Sequence, residues 1–257
     1  MPSNKNGGGV GCDPSDTVFS IAVGYLSVQT ASFRDRAVYF DPTDTLVVAD
    51  LHVGRDESSG VEFPLGERDD ILERFSALRR FFEPDRIVVA GDVLHTFAEV
   101  SSSTVAILEA IEDSLTTNGV SLEFVVGNHD PLLTEVWDGP VSDALELSDG
   151  TVIAHGHEPP SIEADRYVIG HEHPTIGIEG VRRPCFLYGE KQLDDAELLV
   201  LPAFNRLAAG VEVNGMRTAD FDSPFVTDAD ELRPIVYDED AHETLRFPPL
   251  GEFRTML

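Results

Sequence analysis

The stretch TLVVADLHVG, residues 45–54, decides which fold this sequence adopts. Four apolar residues, 46–49, run directly into Asp50 and, two positions later, His52. An acid and an imidazole at the end of a buried strand indicate a site, because unpaired polar groups in a core cost free energy. Side chains alternate along a strand, so Asp50 and His52 face the same way if the extended conformation persists. Such a pair could grip a metal ion.

Two segments with helical spacing separate the first strand candidates. Residues 68–82 place apolar side chains three or four positions apart, and residues 102–119 begin at serine cap candidates and end at Gly119. Strand, helix, strand, helix and strand in this order predict an α/β layered fold with right-handed crossovers. The strand candidates of this region are residues 45–50, 86–92 and 122–130, followed by apolar runs at 151–157 and 167–173.

The last third of the sequence has a different character. After residue 180 it contains short strand candidates separated by turns, with no strong helix among them. No internal repeat or linker divides the chain, so residues 18–257 are predicted to form a single domain. Residues 1–17, rich in glycine and in polar and acidic residues, are predicted to be a disordered tail. The late strand candidates are residues 184–190, 197–204, 233–238 and 243–250.

The composition is strongly acidic. The 257 residues include 47 Asp and Glu but only 18 Lys and Arg, for a formal net charge of −29. In molar salt the Debye length falls to about 3 Å and the self-repulsion of such a chain is screened. The composition therefore resembles that of salt-in halophiles and predicts a haloarchaeal source. The alternatives are an acidic mesophilic protein and a protein that binds cations.

The sequence predicts a cytoplasmic location without membrane contact. It contains no apolar run of about 18 residues that could span a bilayer, and its N-terminus lacks the basic start and apolar run of a signal peptide. The two cysteines, Cys12 and Cys185, do not indicate a disulfide framework, so a reducing compartment is expected. The oligomeric state stays open.

Seven of the eight histidines lie in the polar stretches that end the strand candidates. In layered α/β sheets the carboxyl ends of the strands form the ligand crevice. One such histidine would be an ordinary core or surface residue, but a cluster of histidines and acids indicates a metal site. Oxygen and nitrogen ligands favour Mn, with Fe, Zn, Co or Ni as alternatives, over Ca or Mg. The polar stretches are residues 50–52, 91–95, 127–130, 155–157 and 170–173.

The order of these motifs, D-x-H, G-D-x-x-H, G-N-H-D, H-G-H and G-H-x-H, resembles that of the calcineurin-like metallophosphoesterase superfamily over residues 45–174. The resemblance implies a β-sandwich flanked by helices, with a dinuclear metal site at the C-terminal ends of the strands. By motif, the implied ligands are Asp50, His52 and His173 for the first divalent ion, Asn128, His155 and His171 for the second, and Asp92 as the bridge.

The same resemblance implies roles for the residues beside these ligands. His129 would be the catalytic histidine that faces the leaving group, Asp130 would orient it by a hydrogen bond, and His95 would lie beside the phosphate. His157, the second histidine of AHGH, is the less favoured ligand of that motif and would face the substrate or solvent. Glu172, between two implied ligands, is expected to be only solvated.

A finer pattern resembles a smaller group of enzymes. The segments VVADLHVGRDESSGVEFP, GHEHP, PCFLYGE and LPAFNRLAAG look like archaeal phosphoesterases related to the SbcD nuclease, and like bacterial ligase-associated phosphoesterases. Nucleases of the SbcD type carry a DNA-capping domain and a segment that docks an ATPase. Only 84 residues follow His173 here, and they have the pattern of sandwich strands. The pattern after His173 thus departs from that of the SbcD nucleases, which puts a role in double-strand-break processing in doubt.

The expected activity is hydrolysis of phosphodiester bonds in nucleic acid or nucleotides. A hydroxide activated between two metal ions would attack phosphorus, and His129 would act as the general acid. The alternatives are a phosphomonoesterase that acts on a small metabolite, a metal-dependent hydrolase of another ester, and a scaffold that keeps the fold without catalysis. The substrate partner is thus a phosphoester, with DNA and RNA as candidates.

Four basic residues after the metal motifs are candidate contacts to such a substrate. Arg182, Arg183 and Lys191 could touch a phosphate backbone, and Arg206 is a weaker candidate of the same kind. The alternative for this cluster is a solvated hairpin whose charges form ion pairs.

Overall fold

The computed structural model describes residues 31–58, 66–96 and 98–256. The predicted tail, residues 1–17, and Cys12 lie outside these ranges. The described helices are α1 (Arg55–Ser58), α2 (Glu67–Phe82), α3 (Ser102–Thr116), α4 (Leu133–Val136) and α5 (Leu250–Phe253). The strands are β1 (Ala31–Arg34), β2 (Ala37–Phe40), β3 (Thr45–Val48), β4 (Arg86–Ala90), β5 (Ser121–Val125), β6 (Val141–Ser142), β7 (Ala144–Glu146), β8 (Thr151–Ala154), β9 (Arg166–Ile169), β10 (Pro174–Ile178), β11 (Val181–Pro184), β12 (Phe186–Gly189), β13 (Glu197–Val200), β14 (Val211–Glu212), β15 (Arg233–Asp238) and β16 (Glu243–Arg246).

The strands form two large sheets and one small one. The first sheet has the order β1-β2-β3-β4-β5-β6, with parallel pairing from β3 to β6. The second has the order β16-β15-β12-β13-β9-β8-β7, in which β13, β9 and β8 are parallel. The small sheet joins β10 to β11 and β14. This mixed α/β architecture is the one that the alternation of elements predicted.

Two apolar layers explain why every residue of β3 and nearly all of β4 are buried. Side chains alternate across a strand, so Val47 and Val88 face the second sheet, where they share a core with Val168 and Leu199. Their neighbours in sequence, such as Val48, face α2 and α3 on the other side. A strand that is covered on both faces has apolar residues at consecutive positions. For this reason residues 46–49 do not alternate between apolar and polar side chains.

The predicted helices begin and end close to their expected positions. Helix α3 follows Ser101, whose hydroxyl oxygen accepts a hydrogen bond from the Thr104 N–H at 3.0 Å, as an N-cap serine does. The described region after residue 180 is built mainly of short strands, as predicted, with three short 3-10 helices between them and α5 at its end. Among the described residues no helix is both long enough and apolar enough to cross a membrane.

Candidate metal centre

The loops that follow β3 and β4 run side by side beyond the ends of these strands. The Asp50 N–H donates to the Gly91 carbonyl at 3.1 Å, and the His52 N–H donates to the Asp92 carbonyl at 2.8 Å. The His95 N–H then donates back to the Val53 carbonyl at 3.1 Å. Pairing of the two loops therefore brings the D-x-H motif against the G-D-x-x-H motif.

The backbone of these loops is not extended. The prediction that Asp50 and His52 face the same way because an extended strand continues through them was therefore wrong. β3 ends at Val48, and both residues have left-handed backbone angles, with φ of 56° at Asp50 and 43° at His52. The same holds for Asp92, at 48°. A left-handed residue other than glycine costs roughly 1–2 kcal/mol, and such strain concentrates at functional sites. Tight turns, rather than strand alternation, aim these side chains.

One group of donor atoms surrounds a point between the two loops. Ligand atoms of Asp50, His52, Asp92 and His173 all lie within 4.8 Å of one another. The Nε2 atoms of His52 and His173 are 3.3 Å apart, and the His173 Nε2 is 3.3 Å from Asp50 Oδ1. The structure therefore brings together the four residues that the motifs assigned to one ion and its bridge.

A second group of donors meets on the other side of Asp92. His155 Nε2 lies 2.9 Å from Asn128 Oδ1, 3.2 Å from His171 Nδ1 and 3.3 Å from Asp92 Oδ1. The opposite carboxylate oxygen, Asp92 Oδ2, is 3.7 Å from His52 Nε2 in the first group. The Asp92 carboxylate thus lies between the two groups, which is the position of a bridging ligand.

His171 and His173 contact different groups of donors, although one residue separates them. Strand alternation predicted that they face the same way, and this was wrong: their φ angles are 70° and 45°, so the chain turns between them. His157 lies outside both groups, with its side chain 31% exposed and 3.8 Å from Glu158. The geometry therefore favours His155, which is almost fully buried, over His157 as a ligand.

Glu172 is buried, which corrects the expectation that it is only solvated. Its Oε1 accepts the Ser223 N–H at 2.6 Å, and the Ser223 hydroxyl donates to the Gly156 carbonyl at 2.6 Å. Burial raises the pKa of Glu172 to about 7. Glu172 thus links the loop that carries His171 and His173 to a loop some fifty residues later in the chain. The local sequence gives no sign of this contact.

Burial sets the protonation of the donor groups. It lowers the pKa of His52 to about 3 and that of His155 to about 4, so both rings are neutral near pH 7 and offer a lone pair. Burial, followed by repulsion from Asp50, raises the pKa of Asp92 to about 8. The pKa of His173 is raised instead, because the charge of Asp50 outweighs the effect of burial. A set of two buried carboxylates with imidazole and amide groups fits divalent metal ions.

His129 and His95 lie at the open side of the first group. The His129 side chain is 29% exposed, its Nε2 lies 4.0 Å from Asp92 Oδ2, and its N–H donates to Asp92 Oδ1 at 3.0 Å. The ring centroid of His95 is 5.8 Å from that of His52. Burial, aided by the positive charge of Arg55, lowers the pKa of His95. Both rings therefore lie where a bound substrate could reach them.

Asp130 acts on the backbone around His129. Its carboxylate accepts N–H groups from Gly127 at 2.9 Å, Val93 at 3.1 Å and Leu94 at 2.8 Å. These bonds use both oxygens and tie the G-N-H-D turn to the loop after β4. The described hydrogen bonds of Asp130 are thus with backbone groups rather than with the His129 ring, and they fix the turn that carries His129.

A buried pair that the sequence reasoning missed supports the D-x-H loop. The Glu67 carboxylate accepts the Gly54 N–H at 3.0 Å and the Asn205 amide at 2.8 Å. The same amide donates to the Leu51 carbonyl at 2.8 Å. Arg55 joins this network, because its Nε donates to the carbonyl of residue 207 at 3.0 Å. The segment LPAFN carried a signal for Asn205 through its resemblance to related enzymes, whereas no motif marked Glu67.

The glycines that precede the motif residues leave no room for a side chain. A Cβ on Gly127 would lie 2.2 Å from both the backbone N and the Oδ1 of Asp92, and one on Gly170 would lie 2.6 Å from Asp50 Oδ2. Gly127 and Gly170 thus pack directly against Asp92 and Asp50, respectively. The glycines of G-N-H-D and G-H-x-H are therefore required by close approach.

Replacement of Gly127 by alanine is expected to lower both stability and metal binding. The added methyl group must displace the Asp92 backbone, and overpacking of this kind costs about 1–3 kcal/mol. The melting temperature and the metal content after loading, measured by mass spectrometry, should both fall. Gly215→Ala is the matched control, since a Cβ there meets nothing within 4 Å. Equal values for the two variants would contradict the assignment.

The basic residues that follow the motifs form ion pairs on the surface. Arg182 and Arg183 lie on β11, where their guanidinium groups are 3.4 Å from Glu212 and 3.7 Å from Asp238. Arg206 pairs with Asp70 at 3.0 Å and with Glu239 at 3.2 Å, whereas Lys191 lies in an exposed bend. These contacts match the predicted alternative of a solvated hairpin with ion pairs.

Imidazole, carboxylate and amide donors gathered at the strand ends of a two-sheet sandwich are typical of a metal-dependent hydrolase. The chain belongs to the calcineurin-like phosphoesterase family, whose sequence profile matches residues 44–184, more than half of its length. The family confirms that the protein is a metallophosphoesterase. It also confirms the coarser part of the resemblance drawn from the motifs.

Two solved structures resemble the fold. A nuclease MPE from Pseudomonas putida is 22% identical, with a TM-score of 0.57, and the alignment covers 83% of this chain and 92% of the nuclease. The phosphoesterase Yfce from E. coli is 14% identical, with a TM-score of 0.42, and the alignment covers 80% of this chain and 98% of that one. No curated protein matches the chain.

Proposed function

We propose that the protein hydrolyses phosphodiester bonds with two divalent metal ions. The observation that carries this proposal is the position of the Asp92 carboxylate between two groups of donors. The ligands of the first ion are Asp50, His52 and His173, those of the second are Asn128, His155 and His171, and Asp92 belongs to both.

Manganese is the proposed metal, because the donor set mixes oxygen and nitrogen atoms and contains no thiolate. Cys185, the cysteine within the described part of the chain, is fully buried in the core behind the second sheet. When bound, such ions would lower the pKa of a water molecule and neutralise charge on the phosphoryl oxygens.

The side chains around the donors complete the chemistry. His129 is assigned as the proton donor to the leaving oxygen, through its Nε2, because it lies at the rim of the site beside Asp92. His95 is assigned to the phosphate, and Asp130 holds the turn that presents His129.

A nucleic acid or nucleotide is the proposed substrate class. The similar structure from Pseudomonas putida is that of a nuclease, and the finer sequence pattern resembles nuclease-related phosphoesterases. At 22% identity, the similarity to this nuclease supports the fold but not the substrate. The nucleic-acid substrate is therefore a proposal, which the following experiment tests.

The test compares two chromogenic esters, assayed in molar KCl with Mn²⁺ because of the acidic composition. Turnover of bis-p-nitrophenyl phosphate well above that of p-nitrophenyl phosphate is expected. Turnover of the monoester alone would instead establish a phosphomonoesterase of a small metabolite. Turnover of neither ester by metal-loaded protein would favour a scaffold without catalysis and would sink the proposal.

A further inference from the structure

A groove opens directly beside the first group of donors. His173, which contacts Asp50 and His52, lines one end of it, and the chain around residues 202–210 lines its side. Its volume is about 190 Å³, equal to about six water molecules at roughly 30 Å³ each. This space accommodates a phosphate group that neighbours the one at the metal centre.

The charge of the groove is opposite to that of the chain as a whole. Arg36, Arg182 and Arg206 line it, and no carboxylate does so among the described residues. By contrast, the cleft that contains Arg206 and Arg34 is also lined by Asp35, Asp70, Glu73 and Glu239. Arg206 forms ion pairs with Asp70 and Glu239 in that second cleft, so Arg36 and Arg182 are the guanidinium groups that the groove offers to an anion, in a protein with 47 acidic residues and 18 basic ones.

Two polar atoms in the groove wall are buried without a partner in the described structure. These are the hydroxyl oxygen of Thr175, a residue that is 6% exposed, and the Nε of Arg36. Arg36 is held in place by its Nη1, which donates to the Ala203 carbonyl at 2.9 Å and to the Asn205 carbonyl at 3.1 Å. Buried polar groups are normally hydrogen-bonded, so an acceptor that reached either atom from the groove would be favoured.

We infer that this groove binds a phosphate that flanks the scissile one in a polynucleotide strand. Arginine guanidinium groups match phosphate oxygens in planar geometry, and the Thr175 hydroxyl adds a neutral donor. Arg182 reaches the groove from its exposed rim, where it is paired only loosely with Glu212, at 3.4 Å. The inference rests on the proposed function and deepens it: the substrate is an oligonucleotide, and a small phosphate ester would leave the groove empty.

The test uses the full chain and compares Arg182→Ala with its neighbour in sequence, Arg183→Ala. Both residues lie on β11, Arg182 exposed and Arg183 half-buried. Both have an acidic partner, but Arg183 does not line the groove. The readout is binding of a fluorescein-labelled oligothymidylate of about 12 nucleotides to metal-free protein over a series of salt concentrations. Arg182→Ala should weaken binding about tenfold and reduce the slope of log affinity against log salt by about 0.7, as expected for one lost phosphate contact. Arg183→Ala should change neither quantity.

Thr175→Val provides a second variant that keeps the shape of the side chain. It should lower the ratio of kcat/KM for the oligonucleotide to kcat/KM for bis-p-nitrophenyl phosphate, because only the first substrate carries a flanking phosphate. Equal effects of Arg182→Ala and Arg183→Ala, or an unchanged ratio in Thr175→Val, would overturn the inference.

Failure of this inference and failure of the proposed function are distinguishable. If bis-p-nitrophenyl phosphate is hydrolysed but the oligonucleotide is neither bound nor cleaved, the groove assignment is wrong while the proposed activity stands. If neither ester is hydrolysed but oligonucleotide binding depends on Arg182, the groove assignment stands without the activity.

Discussion

Replacement of Asp92 by asparagine is expected to remove bound metal and phosphoesterase activity together. The Asp92 carboxylate lies between both donor groups, and an amide provides neither its charge nor its second ligand oxygen. Loss of the several kcal/mol that metal ions contribute to the transition state corresponds to a fall in kcat of at least about 10³-fold. Metal content by mass spectrometry and turnover of bis-p-nitrophenyl phosphate check the result.

The folded state of the Asp92→Asn protein should survive the change. The asparagine oxygen can still accept the His129 N–H, which lies 3.0 Å from Asp92 Oδ1 in the wild type. The amide also cannot ionise, so it places no charge beside Asp50, whereas burial and repulsion from Asp50 already disfavour the charged form of Asp92 and raise its pKa. The metal-free variant should therefore melt no lower than the metal-free wild type. Asp113→Asn, on the exposed face of α3, is the matched control, and full activity in Asp92→Asn would refute the bridging role.

The second large effect is expected for His129→Ala, which should lose activity while it retains its metal ions. His129 lies at the rim of the site and is absent from both donor groups, so its removal leaves the ligands in place. Loss of a general acid lowers kcat by about 10²–10⁴-fold. The loss should be smaller for a p-nitrophenyl ester than for an ester of a nucleoside hydroxyl, because nitrophenolate leaves readily without a proton.

His242→Ala is the control for this variant. His242 is the one histidine outside the strand-end motifs, and its Nδ1 lies 3.2 Å from the Tyr237 hydroxyl on the surface. It should match the wild type in both activity and metal content. If His129→Ala kept full turnover, or lost its metal ions, the assignment of His129 as proton donor would be refuted.

The sequence was most informative where the chemistry is local. The apolar runs before Asp50 and Asp92 predicted two buried strands, since a strand covered on both faces is apolar at every position. The repeated glycine, acid and histidine motifs predicted a metal site, and the structure brings their side chains together. The helices α2 and α3 were predicted to within a few residues, because cap residues and apolar spacing are themselves local signals.

Strand alternation predicted the wrong side-chain directions where these directions depend on turns. It placed Asp50 and His52 on an extended strand, whereas both adopt left-handed angles. It also expected His171 and His173 to face the same way, and they belong to different donor groups. A left-handed turn at these residues is held by contacts with neighbouring loops, and no periodic pattern records it.

By itself the sequence determined the class of elements, the residues of the candidate site and the family, because these follow from local patterns and from motifs in a particular order. Only the tertiary structure decided how the donors divide around Asp92, that Glu172 is buried, and that Glu67 and Asn205 support the D-x-H loop. It alone brought Arg36 and Arg182 to one groove beside His173. The physical reason is distance along the chain. These contacts join residues that are 27 positions apart at Asn128 and His155, 51 at Glu172 and Ser223 and 138 at Glu67 and Asn205, and they exist only after the chain has packed.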